Sequence, residues 1–426
     1  MKFILLLSLF LTLFGCKLGE EEEEENNLTS SRSNSDDEQE SGEGDEEDEE
    51  SEPEPKSLVM FVSSTKLNGG GTNSFGVTPG LEAFDYACNL DAVDIFGNDE
   101  KAFKALLFSS SERVACTSAD CTSVEGTQEN VDWVLYPNST YYRTDGTTEI
   151  TTTNEHAVFN FPLTNNIATS FGDAWTGFQS DWTGIAGNGD SCDGFSTSTG
   201  TPSPYAPVGD IYASNMGAIF DQYAHCSLSK SFYCVEVERE EPTGSYKKIF
   251  VTTNTYKGGS GLLFADGVSD FDGHCSSEAS TKGLSGTYKA MVSAVSGNNG
   301  ITIRKACSTA NCSGSGAAEN VNWVLSPNTQ YRREDGSAVI GTTNSSGIFD
   351  FPLDRSFTGT DVSYWTGTPS SYAVPTIGNA AYTCTDWSIN SGGLGYYGNG
   401  LARDYKSIYD GSHGCSTEKH ILCVEQ

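Results

Sequence analysis

A segment in the middle of the chain reads CSLSKSFYCVE (residues 226–236), and a similar segment near the C-terminus reads CSTEKHILCVE (residues 415–425). Outward from these segments, twelve of the thirteen cysteines fall into two sets of six. Neighbouring cysteines are 28, 5, 71, 34 and 8 residues apart in the first set and 32, 5, 72, 31 and 8 apart in the second. The sets are Cys88, Cys116, Cys121, Cys192, Cys226 and Cys234, then Cys275, Cys307, Cys312, Cys384, Cys415 and Cys423. The spacing predicts one domain written twice, with a disulfide framework formed in an oxidising compartment.

The N-terminus has the form of an export signal that ends in a cysteine. Lys2 precedes an apolar run over residues 3–14, which is too short to span a bilayer as a stable helix. The run ends in LFGC (residues 13–16), which resembles the lipobox of bacterial lipoproteins. The resemblance implies a signal peptide over residues 1–15 and acylation of Cys16. The alternative is a plain secretory signal whose cysteine is incidental.

An acidic segment follows the signal. Residues 17–56 hold nineteen acidic and three basic residues, and they contain no Phe, Trp, Tyr or Ile. Such a composition cannot bury enough apolar surface to offset the entropy of ordering. We predict a disordered tether over residues 16–56, with a cation-collecting or sorting segment as the alternative reading.

Charge differs between the two copies. Residues 57–242 hold 24 acidic and 7 basic residues, a net charge of −17, whereas residues 243–426 hold 15 and 13, a net charge of −2. This balance argues against binding of nucleic acid or heparin-like polyanions through bulk charge. In the second copy, Arg304-Lys305 and Arg332-Arg333 are expected to form local basic spots.

Both copies show the same order of structural signals, which predicts a small α+β domain of short strands and long loops, at residues 57–242 and 243–426. A strand is expected at residues 58–62, followed by a helix at 81–92 that carries Cys88. The helix around Cys275 is expected to be shorter because it is rich in glycine. Further strands are expected at residues 103–107, 131–135 and 233–236 and at 288–292, 321–325 and 422–425.

These signals together resemble the C-type lectin-like fold, and within it the endostatin domain of collagens. The resemblance rests on the terminal Cys-x7-Cys-x-Glu and, in the second copy, on residues 286–290 (GTYKA), 364–367 (YWTG), 382–387 (YTCTDW) and 421–425 (ILCVE). With the lipobox, the chain resembles the leptospiral endostatin-like surface lipoproteins. Spacing alone leaves fifteen pairings open for six cysteines. The fold resemblance implies the pairs Cys88–Cys234, Cys192–Cys226, Cys116–Cys121, Cys275–Cys423, Cys384–Cys415 and Cys307–Cys312.

The expected ligands also come from the resemblance. Its members are outer-surface adhesins that bind laminin, fibronectin, plasminogen or complement regulators, so a surface-exposed, outer-membrane binding protein is expected here. The basic heparin surface and histidine-rich zinc site of endostatin have no counterpart in this sequence, and the calcium-binding triplets of sugar-binding lectins are also missing. We expect no metal, no cofactor and no enzymatic activity, because a disulfide would remove the thiolate that a cysteine nucleophile needs. The alternatives are a glycan-binding module and an envelope structural protein.

The candidate binding residues are aromatic residues of the long loops between Trp175 and Cys226 and between Trp365 and Cys415: Tyr205, Tyr212, Tyr223, Tyr372, Tyr396 and Tyr397. Packing inside the loops is the alternative role for these tyrosines. Plasminogen is expected to favour the lysines of the second copy, which are Lys247, Lys248, Lys406 and Lys419. Basic matrix segments are expected to favour the acidic first copy.

Overall fold

Each set of six cysteines belongs to a domain that is built on a mixed sheet of eight strands. The computed structural model describes residues 55–73, 77–110, 112–117, 129–184, 191–199, 204–239, 243–259, 267–295, 302–307, 319–372 and 382–426. The strands of the two sheets are arranged in the same order, so the chain consists of two similar sheet-rich domains in tandem.

The first domain has β1 (Ser57–Val62), β2 (Ala102–Ala105), β3 (Thr140–Tyr142), β4 (Glu149–Thr152), β5 (Asp173–Trp175), β6 (Tyr205–Asp210), β7 (Gln222–His225) and β8 (Ser231–Val237). The second has β9 (Tyr246–Val251), β10 (Tyr288–Ala290), β11 (Gln330–Arg333), β12 (Val339–Thr342), β13 (Ser363–Trp365), β14 (Leu394–Asn399), β15 (Gly411–Gly414) and β16 (His420–Glu425). The strand order is β4-β3-β1-β8-β5-β6-β7 in the first sheet, where β2 pairs with β8, and β12-β11-β9-β16-β13-β14-β15 in the second, where β10 pairs with β16. Two pairs in each sheet are parallel, β1 with β3 and β5 with β8, then β9 with β11 and β13 with β16.

The central strand of each sheet divides the core in two. Side chains alternate between the faces of a strand, so β8 sends Phe232 and Cys234 to one side and Tyr233 and Val235 to the other. The first side packs against the long helix of the domain, and the second packs under the loops after β2 and β4. This arrangement places the loops between β5 and β8 at the surface, next to a buried sheet.

One long helix covers each sheet. Helix α1 (Leu81–Phe96) ends at Gly97, whose φ of 69° is left-handed and whose N–H bonds to the carbonyl of Val93, as C-terminal glycines commonly do. In the described part of the chain, helix α3 (Gly267–Thr281) is one residue shorter than α1. Its apolar stripe, which includes Val268, Phe271 and Cys275, is buried and offsets the cost of the glycines. In the described part of the chain, no helix is long and apolar enough to span a membrane.

Two short helical segments, α2 (Cys192–Phe195) and α4 (Cys384–Trp387), are single turns with left-handed backbone. All four residues of α4, and the three non-glycine residues of α2, have φ between 49° and 64°. L-residues rarely adopt this conformation in succession because Cβ approaches the carbonyl oxygen. Both turns begin at a disulfide cysteine and end in a buried aromatic residue. We infer that the disulfide and the aromatic side chain hold the turn in place.

The strand expected at residues 131–135, and its counterpart at 321–325, are not strands. Each begins with an isolated bridge, Val114 to Val131 and Lys305 to Val321. Asp132 and Asn322 then take positive φ of 40° and 48°. Asp and Asn tolerate this left-handed conformation, which breaks an extended run. Trp133 and Trp323 instead anchor a loop by donating from Nε1 to the carbonyls of Ala157 and Gly347, both at 2.8 Å.

Candidate functional site

Four disulfides have both of their cysteines among the described residues. Cys88–Cys234 and Cys275–Cys423 join the long helix to the central strand, and Cys192–Cys226 and Cys384–Cys415 join the left-handed turn to the end of β7 or β15. These are four of the six pairs that the resemblance implies. Cys116 and Cys307 are also disulfide-bonded, while their expected partners, Cys121 and Cys312, and the acylation candidate Cys16 lie outside the described residues.

A glycine in each domain allows the loop disulfide to form against the backbone. A Cβ added to Gly69 would lie 2.3 Å from the Sγ of Cys192, and one added to Gly258 would lie 2.2 Å from the Sγ of Cys384. Each glycine also donates its N–H to the carbonyl of the partner cysteine, Cys226 or Cys415.

Cys226 and Cys275 each follow a histidine, but both sulfurs are in disulfides, so neither is a thiolate nucleophile.

Repeated polar contacts fix the helix to the sheet in both domains. The guanidinium of Arg113 binds both carboxylate oxygens of Asp85 and the carbonyl of Ala105, and Arg304 makes the same contacts with Asp272 and Ala290. Both guanidinium groups are buried. Arg304 is therefore a structural residue, and its assignment to a local basic spot was wrong.

Three of the candidate tyrosines lie on the surface of the first domain. Tyr205 and Tyr223 are each 49% exposed and share the outer face of the β6–β7 hairpin. Tyr212 is 43% exposed, and its ring centroid lies 4.5 Å from that of Phe171. Phe171, 83% exposed, is the most exposed large apolar side chain in the described residues. We call Phe171 and Tyr212 the aromatic pair.

Phe171 was missed at the level of the sequence. Phe171 is a lone aromatic residue among small and polar residues, in the stretch ATSFG over residues 168–172, and this pattern could have indicated an exposed ring. A ring in such a stretch has few neighbours to pack against, so exposure is the simplest outcome. Met216, which lies beyond Tyr212 in the chain, is also exposed.

The candidate tyrosines of the second domain are less accessible. Tyr372 is only 4% exposed and packs against Phe351 and Trp323, so its assignment to a binding surface was wrong. Burial also raises the pKa of its hydroxyl. Tyr396 and Tyr397 are half-buried. Tyr396 stacks on Tyr382 with ring centroids 4.4 Å apart, and the Lys419 ammonium lies 3.7 Å from the ring centroid of Tyr397.

Two of the four lysines expected to bind plasminogen, Lys247 and Lys419, make side-chain contacts within the second domain. Lys419 is buried, burial lowers its pKa, and it donates to Ser363 Oγ at 2.8 Å. Lys247 donates to Ser326 Oγ at 2.9 Å and, like Lys248, is half-buried. Lys406 is exposed. Of the four lysines, Lys406 is thus the best placed to meet a lysine-recognising module.

The two domains contact each other through a buried ion pair. Both sheets lie in one compact unit, Pro53–Gln426. Asp99, in the loop after α1, accepts from Arg333 Nη2 at 2.6 and 2.7 Å and from the N–H of Ser356 at 2.8 Å. Asp99 and Arg333 are both buried, so Arg333 does not form the free basic spot that we expected. Burial alone would raise the pKa of Asp99, but Arg333 and Ser356 outweigh it and hold the pKa below its usual value.

A cleft of about 600 Å³ lies beside this contact. Residues of both domains line it, among them Trp133, Arg239, Asp354 and Arg403. Arg239 donates to the carbonyl of Asp354 at 3.2 Å, and the Arg403 guanidinium lies 5.4 Å from the ring centroid of Tyr86. No three His, Cys, Asp or Glu side chains among the described residues are grouped so that they could hold a metal ion.

The comparison with family models agrees with the repeated architecture. The model of the family described as Protein of unknown function (DUF1554) matches residues 71–206 and 253–402, one range in each domain. The matched ranges cover more than half of the chain, so the chain belongs to this family. No curated protein matches it.

Proposed function

We propose that this member of the family is a lipid-anchored protein of the outer membrane that binds host extracellular-matrix and plasma proteins at the cell surface. The observation that carries the proposal is the exposed aromatic surface of the first domain, made of the aromatic pair and the β6–β7 tyrosines. Aromatic side chains are enriched in protein interfaces, where they supply much of the binding energy. Exposed rings held by a disulfide-linked sheet lose little entropy on binding, which favours affinity.

We further propose that both domains are C-type lectin-like and that the chain is related to the leptospiral endostatin-like surface lipoproteins. Two observations support this. A disulfide joins the long helix to the central strand, and a second one closes the long loop before that strand. The buried Trp175 of β5 also lies beside β8, as Trp365 of β13 lies beside β16. Laminin, fibronectin, plasminogen and complement regulators are the ligand classes that this relationship suggests.

A test of the binding function uses the purified mature chain and immobilised laminin, fibronectin and plasminogen. We expect saturable binding. Binding to basic matrix segments should weaken as salt rises, because the first domain has a net charge of −17. Binding to plasminogen should be blocked by a free lysine analogue. A glycan array with and without calcium distinguishes the main alternative, since aromatic rings also stack on sugars; strong glycan binding without protein binding would favour a lectin-like module.

The anchor gives a separate prediction. Cys16→Ala should move the protein from the detergent phase to the aqueous phase when membranes are partitioned with a detergent. The physical reason is the loss of acyl chains, which contribute about 0.8 kcal/mol per buried methylene. Ser8→Ala, in the same signal, is the matched control and should leave the partition unchanged. An unchanged partition of Cys16→Ala, or an uncleaved signal by mass spectrometry, would refute lipidation.

A further inference from the structure

The docking site for Asp99 on the second domain has a counterpart on the first. Arg333 ends β11, its N–H bonds to the carbonyl of Ala338, and its carbonyl accepts from Gly336, both at 2.9 Å. Arg143 directly follows β3 and makes the same two bonds at 2.9 Å, with Thr148 and Gly146. The two arginines therefore occupy equivalent positions in the two domains.

The backbone carbonyl that accepts from each guanidinium is also equivalent in the two domains. Arg333 donates from Nε and Nη2 to the carbonyl of Ser356, at 3.1 and 2.9 Å. Arg143 donates from Nε and Nη2 to the carbonyl of Asn166, at 3.0 and 2.5 Å. Asn166 and Ser356 thus hold the arginine in the same way, and the N–H of Ser356 is the one that completes the carboxylate site for Asp99.

The two arginines differ in their carboxylate partner. Both donate from Nη2 to a side-chain oxygen, Arg333 to Ser356 Oγ at 2.9 Å and Arg143 to Asn166 Oδ1. Arg333 Nη2 also donates to the Asp99 carboxylate. Among the described residues, no carboxylate lies within 4.0 Å of the Arg143 guanidinium. A carboxylate can therefore bind Arg143 beside Asn166, as Asp99 binds Arg333 beside Ser356, in a charge-assisted pair.

Arg143 faces an open groove of about 620 Å³ on the first domain. Ile95 and Phe171, both exposed, lie in the lining of the same groove and give it an apolar rim. Tyr212 extends this rim through its contact with Phe171. The lining also holds Lys66 and two carboxylates, of which Asp173 pairs with Lys230 and Asp145 accepts from the N–H groups of its own turn. The groove therefore combines the Arg143 guanidinium with an exposed apolar rim, whereas in the second domain Asp99 of the first domain occupies the equivalent arginine.

We propose that this groove binds a protein segment of the partner that presents an aspartate or glutamate carboxylate next to an apolar side chain. The carboxylate binds Arg143 as Asp99 binds Arg333, and the apolar side chain packs on Phe171 and Ile95. Because the first domain has a net charge of −17, the partner as a whole is neutral or basic, and a single carboxylate anchors it locally. The identity of the partner rests on the proposed function. The inference that the groove binds a carboxylate rests on the equivalence of Arg143 and Arg333 in the two domains.

The test uses the full mature chain and two synthetic peptides. One has the sequence of residues 95–102, IFGNDEKA, which is the chain's own docking loop, and the other carries Asp99→Asn. We expect the first peptide to shift the NMR signals of the Arg143 Nε–H and the Asn166 side-chain amide. The Asn peptide should bind at least tenfold more weakly, and Arg143→Ala should weaken the first peptide to the same extent. Lys257→Ala, which removes an exposed cation from the second domain, should have no effect.

Three results would show that the groove does not bind a carboxylate at Arg143. They are equal binding of the two peptides, no shift of the NMR signals at millimolar peptide, and unchanged binding of the first peptide to Arg143→Ala. The comparison of the peptides on the unmodified chain stands even if Arg143→Ala folds poorly. Failure of the chain to bind any matrix protein would overturn the proposed function and leave the peptide result untouched. The peptide experiment therefore tests the groove, and the matrix-protein experiment tests the proposed function separately.

Discussion

Replacing Cys275 and Cys423 together with serine is expected to lower the free energy of unfolding of the second domain by about 5 kcal/mol. The bridge spans 148 residues and joins helix α3 to the central strand β16. A cross-link over so long a loop removes much of the conformational entropy of the unfolded chain, and the stabilisation grows with the logarithm of the loop length. Because total stability is usually only about 5–15 kcal/mol, the variant should be largely unfolded near body temperature.

The matched control is the double substitution Cys307→Ser and Cys312→Ser. These cysteines are five residues apart, so the same model gives a loss of about 2 kcal/mol for this pair. Urea unfolding followed by tryptophan fluorescence measures both variants, since Trp365 and Trp387 are buried in the second domain. Equal losses for the two variants would show that the long bridge does not have the stabilising role that we assign to it.

Asp99→Asn is expected to separate the two domains at neutral pH. The substitution removes the charge that pairs with the buried Arg333 and leaves that guanidinium without compensation, which costs about 3–5 kcal/mol. Small-angle X-ray scattering should then show a larger radius of gyration. Glu100→Gln is the control, because Glu100 is exposed and its carboxylate lies 3.8 Å from Arg333, a geometry that contributes little. An unchanged radius for Asp99→Asn would show that the ion pair does not hold the domains together.

The same contact sets the response of docking to pH. The pKa of Asp99 is lower in the docked state than its ordinary value near 4. The contribution of the pair is therefore complete above about pH 4 and is lost as the pH falls through the lowered pKa. Acid titration of the unmodified chain should thus reproduce the expanded scattering profile of Asp99→Asn.

The sequence predicts the elements that stand next to cysteines better than those that do not. Strands β8 and β16 and the four observed disulfides follow from short-range repeats and from the fold resemblance. The segment at residues 131–135 alternates like a strand, but Asp132 turns it into a loop through a left-handed backbone that hydrophobic alternation does not encode. Local pattern alone could not decide between these outcomes.

Long-range contacts explain the other differences. Arg333 appeared to be part of a basic spot because its partner, Asp99, is 234 residues away in the chain. Tyr372 appeared to be a loop aromatic because its burial against Phe351 and Trp323 depends on tertiary packing. Phe171 was missed for the converse reason, since its side chain stays 83% exposed among the described residues. In each case the exposure of the side chain is set by residues that the local sequence does not contain.

The most direct test of the proposed binding surface measures the affinity of the mature chain for immobilised laminin and fibronectin, with and without the aromatic pair. We expect Phe171→Ala with Tyr212→Ala to weaken binding at least tenfold, because truncation of an aromatic hot spot at an interface costs about 2 kcal/mol or more. Tyr405→Ala, which removes a 40% exposed tyrosine from the second domain, should bind like the unmodified chain. Equal affinity of all three proteins, or no binding by the unmodified chain, would contradict a binding role for the aromatic pair.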